Sequence, residues 1–335
     1  MRRRRPAPRF TVSGVLVVDK PAGPTSHDVV DELRRRFRPA KLGHAGTLDP
    51  FATGVLVLLF NQATRLAEIM GQGGKTYLGR LELGRAMDTG DPTGRVTAEV
   101  PVPELDEARI LAALASLEGE QEQAPPAYSA VKHQGRPLYA YAREGQAVTK
   151  PARPITVAAN RLLAWEPGWV LFETRCSKGT YLRVLAEDLA RRLGTVGHLS
   201  ALTRAVSLPF SLDDAVELER VLAWDDDELT HRLLDPDQAL ARAGLPAVVL
   251  PEEAAWQIRQ GRILPREIFL SANPDTPLTG AFRVTTPGGE LVAVLNWLAA
   301  PEGDAGRDYE TVRVFSEPSR SQEEEQPSAS AMGAE

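Results

Sequence analysis

The sequence predicts an α+β fold in two domains, and three observations carry that reading. Segments with apolar residues at every second position alternate along the chain with segments where they recur every three or four, the periods of strand and helix. The 335 residues exceed one ordinary domain of about 150. The texture also changes near Gly244-Leu245-Pro246, where acidic helical sequence gives way to short strand-like runs.

Residues 1–9 form a basic arm with Arg2 to Arg5 and two prolines, expected to be disordered and either RNA-touching or inert. Val15 to Val18 reads as a strand. Ser26 to Phe37 reads as a helix with Ser26 as N-cap and Val29, Val30, Leu33 and Phe37 on one face. Its Arg34, Arg35 and Arg36 read first as a solvated face. The apolar run Val55 to Phe60 is a buried strand or a helix start. Lys75 to Leu83 alternates as a strand, with Tyr77, Gly79, Leu81 and Leu83 on one side. Asp88 to Gly94 is a loop, and Asp106 to Leu117 an amphipathic helix.

Residues 121–150 are polar and rich in Gln, Pro, Tyr and Gly, with a short helix at Tyr139–Arg143. An insertion of this length in a compact domain is usually functional. Tyr128, Lys132, Arg136 and Tyr139 supply the aromatic and basic groups that grip single-stranded bases. Trp169 to Cys176 is a strand. Tyr181 to Leu193 is a helix ended by Gly194 at the C′ position, and residues 211–240 are acidic and helical. In the second domain, residues 244–315, a helix and turn over 250–264 precede strands Ala281–Thr285, Leu291–Trp297 and Thr311–Phe315, with a hairpin turn at Pro287-Gly288-Gly289. The acidic residues 316–335 are expected to be disordered. No internal repeat is present.

Composition narrows the function. Hydrophobic residues make up 43% and charged residues 25% of the chain, as in ordinary soluble proteins. No apolar run reaches the ~20 residues of a membrane helix, and the arginine-rich start lacks a secretory core. Cys176 is the only cysteine, which excludes an intrachain disulfide and fits a cytoplasmic protein. The five histidines show no metal-ligand spacing, so no metal is expected. The net charge of −6 hides an asymmetry: residues 1–208 hold 29 Lys and Arg against 21 Asp and Glu, and residues 209–335 hold 10 against 24. A basic first part suits phosphates, with salt-dependent affinity.

Residues 43–54, Gly43-His44-Ala45-Gly46-Thr47-Leu48-Asp49-Pro50-Phe51-Ala52-Thr53-Gly54, crowd turn-forming residues around one histidine and one aspartate. Such grammar either lets Asp49 cap a backbone N–H in an Asp-Pro turn or presents it as a lone carboxylate on a rigid turn, close to His44.

Together with Gly14 to Pro21, Gly23-Pro24-Thr25-Ser26-His27-Asp28, Lys75-Thr76-Tyr77, and Arg175 to Arg183 leading into Leu185 to Ala190, this segment resembles the TruB family of tRNA pseudouridine synthases, in its order and spacing over about residues 14–210. The resemblance implies a pseudouridine synthase fold for 10–243, a mixed, largely antiparallel sheet with flanking helices. For 244–315 it implies, more loosely, a small β-barrel of the PUA type. It implies isomerisation of uridine 55 in the tRNA T loop with no cofactor, a tRNA partner but no DNA, no membrane, no obligatory protein partner, and a monomer. It makes Asp49 the essential carboxylate and Arg183 its partner, and an Arg beside a carboxylate lowers its pKa by about 1–3 units. Tyr77 would stack on the target base, and His44 would fill the gap left by the flipped nucleotide. Lys20 would support the active-site loop or touch phosphate. Gly43, Asp91, Tyr128, Lys132, Tyr181 and Arg204 complete the expected binding set. The family's Thr or Val is Ala45 here. A guide-RNA-dependent relative that needs protein partners and a tRNA-folding protein without turnover are the alternatives.

Overall fold

The computed structural model describes residues 8–146, 148–273, 279–302 and 307–315. The chain divides into two compact units between Ala243 and Gly244. Residues 1–7 of the predicted arm and the predicted tail at 316–335 lie outside the described residues. Arg9 is anchored: its N–H donates to the Arg38 carbonyl at 3.0 Å and its guanidinium pairs with Asp226 at 2.9 Å.

The first unit is built on one mixed sheet. Its strands run in the order Val216–Glu217, Gly14–Lys20, Thr53–Phe60, Gly197–Ser207, Lys75–Leu83, Trp169–Cys176, Arg153–Glu166, Gly119–Gln123. The Gly14–Lys20 strand pairs parallel with Val216–Glu217, and Thr53–Phe60 pairs parallel with Gly197–Ser207; the other neighbours are antiparallel. The Val55–Phe60 run is therefore a strand, and every residue from Gly54 to Phe60 is buried, as a strand covered on both faces requires.

Helix Ser26–Phe37 packs Val29, Val30, Leu33 and Phe37 into a cluster with Leu16, Val18, Leu56, Leu58 and Phe60. Its N-cap is Thr25, one residue before the predicted Ser26, in a capping box with Asp28; Ser26 is buried and bonded elsewhere. The arginine face is only partly solvated. Arg34 donates to the Leu42 carbonyl, and Arg36 to the carbonyls of Leu222 and Trp224. A second cluster joins helices Glu107–Ala115 and Leu182–Arg192 to Tyr77, Leu81, Phe172, Leu199 and Leu202 of the sheet.

The predicted insertion begins as the edge strand Gly119–Gln123. It continues into a small hairpin, Lys132–His133 with Arg136–Pro137, and the helix Leu138–Arg143. The hairpin is tied by Arg136 to Glu144 at 2.6 Å and by the Tyr141 hydroxyl donating to the His133 carbonyl.

In the second unit, strands Ala247–Val249, Gly280–Thr285, Leu291–Glu302 and Arg307–Val314 form one sheet in that order. Helices Glu252–Arg259 and Arg266–Ala272 complete it around an aromatic core of Phe269, Phe282, Trp297 and Tyr309. The Phe269 and Tyr309 rings lie 5.1 Å apart. Among the described residues this is an open four-stranded sheet and not a closed barrel. No helix among the described residues is long and apolar enough to cross a membrane.

Candidate active site

Strands Leu42–His44 and Thr53–Phe60 pair antiparallel, so residues 45–52 are the loop between them, and Asp49 sits on that loop. Nearly irregular backbone of this kind must find partners for its polar groups. Each carbonyl from Gly46 to Pro50 has one. Arg204 donates to Gly46 at 3.0 Å and Thr47 at 3.2 Å. The Ser26 hydroxyl donates to Leu48 at 3.2 Å and accepts from the Leu48 N–H at 2.8 Å. The Ala52 N–H donates to Asp49 at 3.1 Å, and Pro50 accepts from the Gly23 N–H at 2.8 Å and Lys20 Nζ at 3.2 Å. At the loop's end Gly54 has φ +102°, and a Cβ there would stand 2.4 Å from the Arg204 carbonyl. The close parallel crossing of two strands thus accepts only glycine.

Asp49 meets Arg183, in the first turn of helix Leu182–Arg192, through two bonds: Nε to Oδ2 at 2.9 Å and Nη2 to Oδ1 at 3.3 Å. The guanidinium is fixed further by the carbonyls of Thr89 at 2.6 Å and Tyr128 at 2.7 Å. The Arg183 side chain is 4% exposed and that of Asp49 34%, so the carboxylate is the member of the pair that an incoming molecule can reach. The expected downward pKa shift of Asp49 is not found. Burial pushes the carboxyl up, and this outweighs the opposing pull of Arg183, with Asp91 adding to the rise.

Asp49 opens into a cavity of about 380 Å³, within the size range of a small-ligand site. Asp49, Lys75, Tyr77, Tyr181, Arg183 and Arg204 line it, with Leu182 and Leu202 as apolar wall. Tyr77 is buried, which raises its hydroxyl pKa.

The remaining predicted residues stand outside this lining. Lys20 is fully buried and gives its ammonium to the carbonyls of Pro21, Pro24 and Pro50; this is loop support, with no donor left for phosphate. Asp91 is also buried, accepting from Thr89 and Thr93 at 2.6–2.9 Å and lying 3.8 Å from Arg183. Tyr128 contributes its carbonyl. Lys132 is exposed on the hairpin. Gly43 and His44 are half-buried on the Leu42–His44 strand. The His44 Nδ1 is buried without a partner, and burial, then Arg204 and His27, push its pKa down. His44 is therefore a flat neutral ring. Three residues at the site were not expected there from the sequence: Ser26, Lys75 and Lys178. All three lie inside the motif blocks, but nothing in the order of residues tells which side chains turn toward the loop.

The family description "TruB family pseudouridylate synthase (N terminal domain)" matches residues 34–182. The tRNA pseudouridine synthase B of Syntrophotalea carbinolica is 37% identical over 306 residues, 91% of this chain and 99% of its own. That of Opitutus terrae is 44% identical over 232 residues, 69% of this chain and 96% of its own. Among solved structures, a chain of a Cbf5-Nop10-Gar1 complex matches with a TM-score of 0.68 at 25% identity, covering 92% of this chain and 85% of that one. The chain belongs to the TruB family of pseudouridine synthases, enzymes that convert uridine in RNA to its C-glycoside isomer.

Proposed function

We propose that this chain converts uridine 55 in the T loop of tRNA to pseudouridine, as a monomer without an obligatory protein partner, using the Asp49 carboxylate and no cofactor. Residues 10–243 would form the catalytic domain, 121–150 an RNA-gripping insertion, and 244–315 a PUA-like domain. The observation that carries the reading is a single carboxylate, partly open, paired to a buried arginine, on a loop whose carbonyls from Gly46 to Pro50 are held, at a cavity that fits one nucleotide. Relatives at 37% and 44% identity that are named tRNA pseudouridine synthase B support the choice of RNA.

The reaction is an isomerisation. The C1′–N1 bond breaks, the uracil turns, a C1′–C5 bond forms, and the C5 proton moves to N1 in the net balance. Nothing is oxidised and nothing leaves, so the chemistry asks for no redox or group-carrying cofactor. Base chemistry requires the nucleotide out of its stack, and the neutral His44 ring is suited to fill the gap. Tyr77 offers a ring face to the uracil. Asp49 acts as nucleophile at the sugar or base, or removes a proton during cleavage; its raised pKa makes it the stronger base in any of these roles.

The test is pseudouridine mapping on an unmodified tRNA transcript with the purified chain alone. Wild type is expected to yield product at the T-loop uridine. Asp49→Asn should lose on the order of 1,000-fold or more in rate while binding and melting temperature are retained. Product from Asp49→Asn at the wild-type rate would remove Asp49 from the chemistry. Binding without product in wild type would favour a partner-dependent enzyme or a folding-assistance protein.

A further inference from the structure

Any of the three routes open to Asp49 places negative charge on the uracil. Cleavage of C1′–N1 sends the electron pair to the ring, giving a uracil anion; addition of the carboxylate to C6 gives an enolate through C5, C4 and O4. A buried anion needs a positive partner, and the cavity has four cations. Arg183 is engaged by Asp49, Thr89 and Tyr128. Arg204 is turned to the carbonyls of Gly46, Thr47 and Val55. Lys178 is exposed and bonded to Gln72. Lys75 is the buried lysine among them. It is 8% exposed and lines the cavity beside Tyr77. Its ammonium donates to the Gly71 carbonyl at 3.1 Å and the Gly73 carbonyl at 3.0 Å, which leaves one of its three N–H donors.

We infer that Lys75 is a further catalytic residue, whose remaining N–H and charge stabilise the negative uracil while it is detached or in enolate form. Lys75 itself need transfer no proton: C1′–N1 breaks with its electron pair going to the ring, the ring anion supplies the pair for the C1′–C5 bond, the C5 proton ends on N1, and Lys75 holds the ring by a charge-assisted hydrogen bond in between. Burial and the nearby Arg204 lower the Lys75 pKa to about 8, so this charge is held at a cost that an anion in the cavity would relieve. The inference rests on the synthase reading above.

A merely structural lysine, stapling the turn at Gly71 and Gly73, would predict a different response to substrate electronics. The experiment is single-turnover loss of the target nucleoside, in T-loop RNA carrying uridine or 5-fluorouridine there. Fluorine stabilises the uracil anion within the ring and so reduces the need for an external charge. Lys75→Met is expected to slow uridine loss by about 100-fold, the size of one missing donor to a developing anion, and to slow 5-fluorouridine loss markedly less, with RNA binding unchanged. Lys75→Gln, which keeps a donor for the two carbonyls, replaces the Met variant if that fails to fold. Equal or greater slowing on 5-fluorouridine, or none on uridine, would overturn the inference. Failure of wild type to consume uridine would overturn the synthase reading instead.

Discussion

A lysine with no surface open to water must hold its charge against burial, and Lys20 does so by donating to three backbone carbonyls. Burial outweighs the help of Asp49 and lowers its pKa to about 8, against 10.5 for a free lysine. Below about pH 8 the folded and unfolded chains both carry this proton. Between 8 and 10.5 the folded chain releases it while the unfolded chain keeps it, so stability rises with pH in that window. Lys20→Met removes this titration. The stability of wild type relative to Lys20→Met should therefore increase from pH 8 to 10.5, by on the order of 3 kcal/mol; urea melts of both proteins at four pH values would measure it. A flat difference would mean that the ammonium is hydrated in solution. At this scale the sequence names residue types well, because Asp49, Lys20, Tyr77 and Arg183 stand in dense local blocks. It does not name directions. Lys20 and Asp91 face inward and serve the loop and Arg183, and the upward shift of Asp49 depends on packing that no local pattern encodes.

At the level of elements, Lys75–Leu83 and Trp169–Cys176 were legible because one face of each is buried and the side chains alternate. The Gly197–Ser207 strand was not. The two strands that flank it in the sheet, Thr53–Phe60 and Lys75–Leu83, are over a hundred residues upstream, and register shifts at 199/201 and 204/206 break its alternation. Yet this strand carries Arg204 to the Asp49 loop. The crossing with Thr53–Phe60 depends on Gly54, and Gly179 offers a control of similar backbone. Both have positive φ, +102° and +82°, but a Cβ at Gly54 meets the Arg204 carbonyl at 2.4 Å while one at Gly179 meets nothing within 4 Å. Gly179→Ala should lose only the conformational strain, about 1–2 kcal/mol. Gly54→Ala adds a backbone clash that the parallel pair must open to relieve, and should lose more than about 3 kcal/mol. Denaturant titration of the two variants checks the difference, and equal losses would show that the strand pair yields easily.

For the whole molecule, the basic character of residues 1–208 does not survive as a property of the folded unit. The acidic stretch 209–243 belongs to the same compact body and is bonded to it, Asp226 pairing with Arg9 and the carbonyls of Leu222 and Trp224 accepting from Arg36. Through residue 243 there are 32 Lys and Arg against 31 Asp and Glu, so net charge supplies almost no attraction for RNA. Attraction then has to come from cations placed where the RNA lies. Lys178 is exposed at the cavity, whereas the exposed Asp227 and Glu219 do not line it. Each phosphate contact contributes about one unit to the slope of log affinity against log salt. Lys178→Ala should accordingly weaken tRNA binding and lower that slope by about 1. The pair Asp227→Asn and Glu219→Gln makes the molecule more positive by two charges and should leave the slope unchanged. Anisotropy titrations across a salt series separate the cases. If the acidic pair strengthened binding as much as Lys178→Ala weakened it, overall charge, and not local placement, would govern how this protein meets RNA.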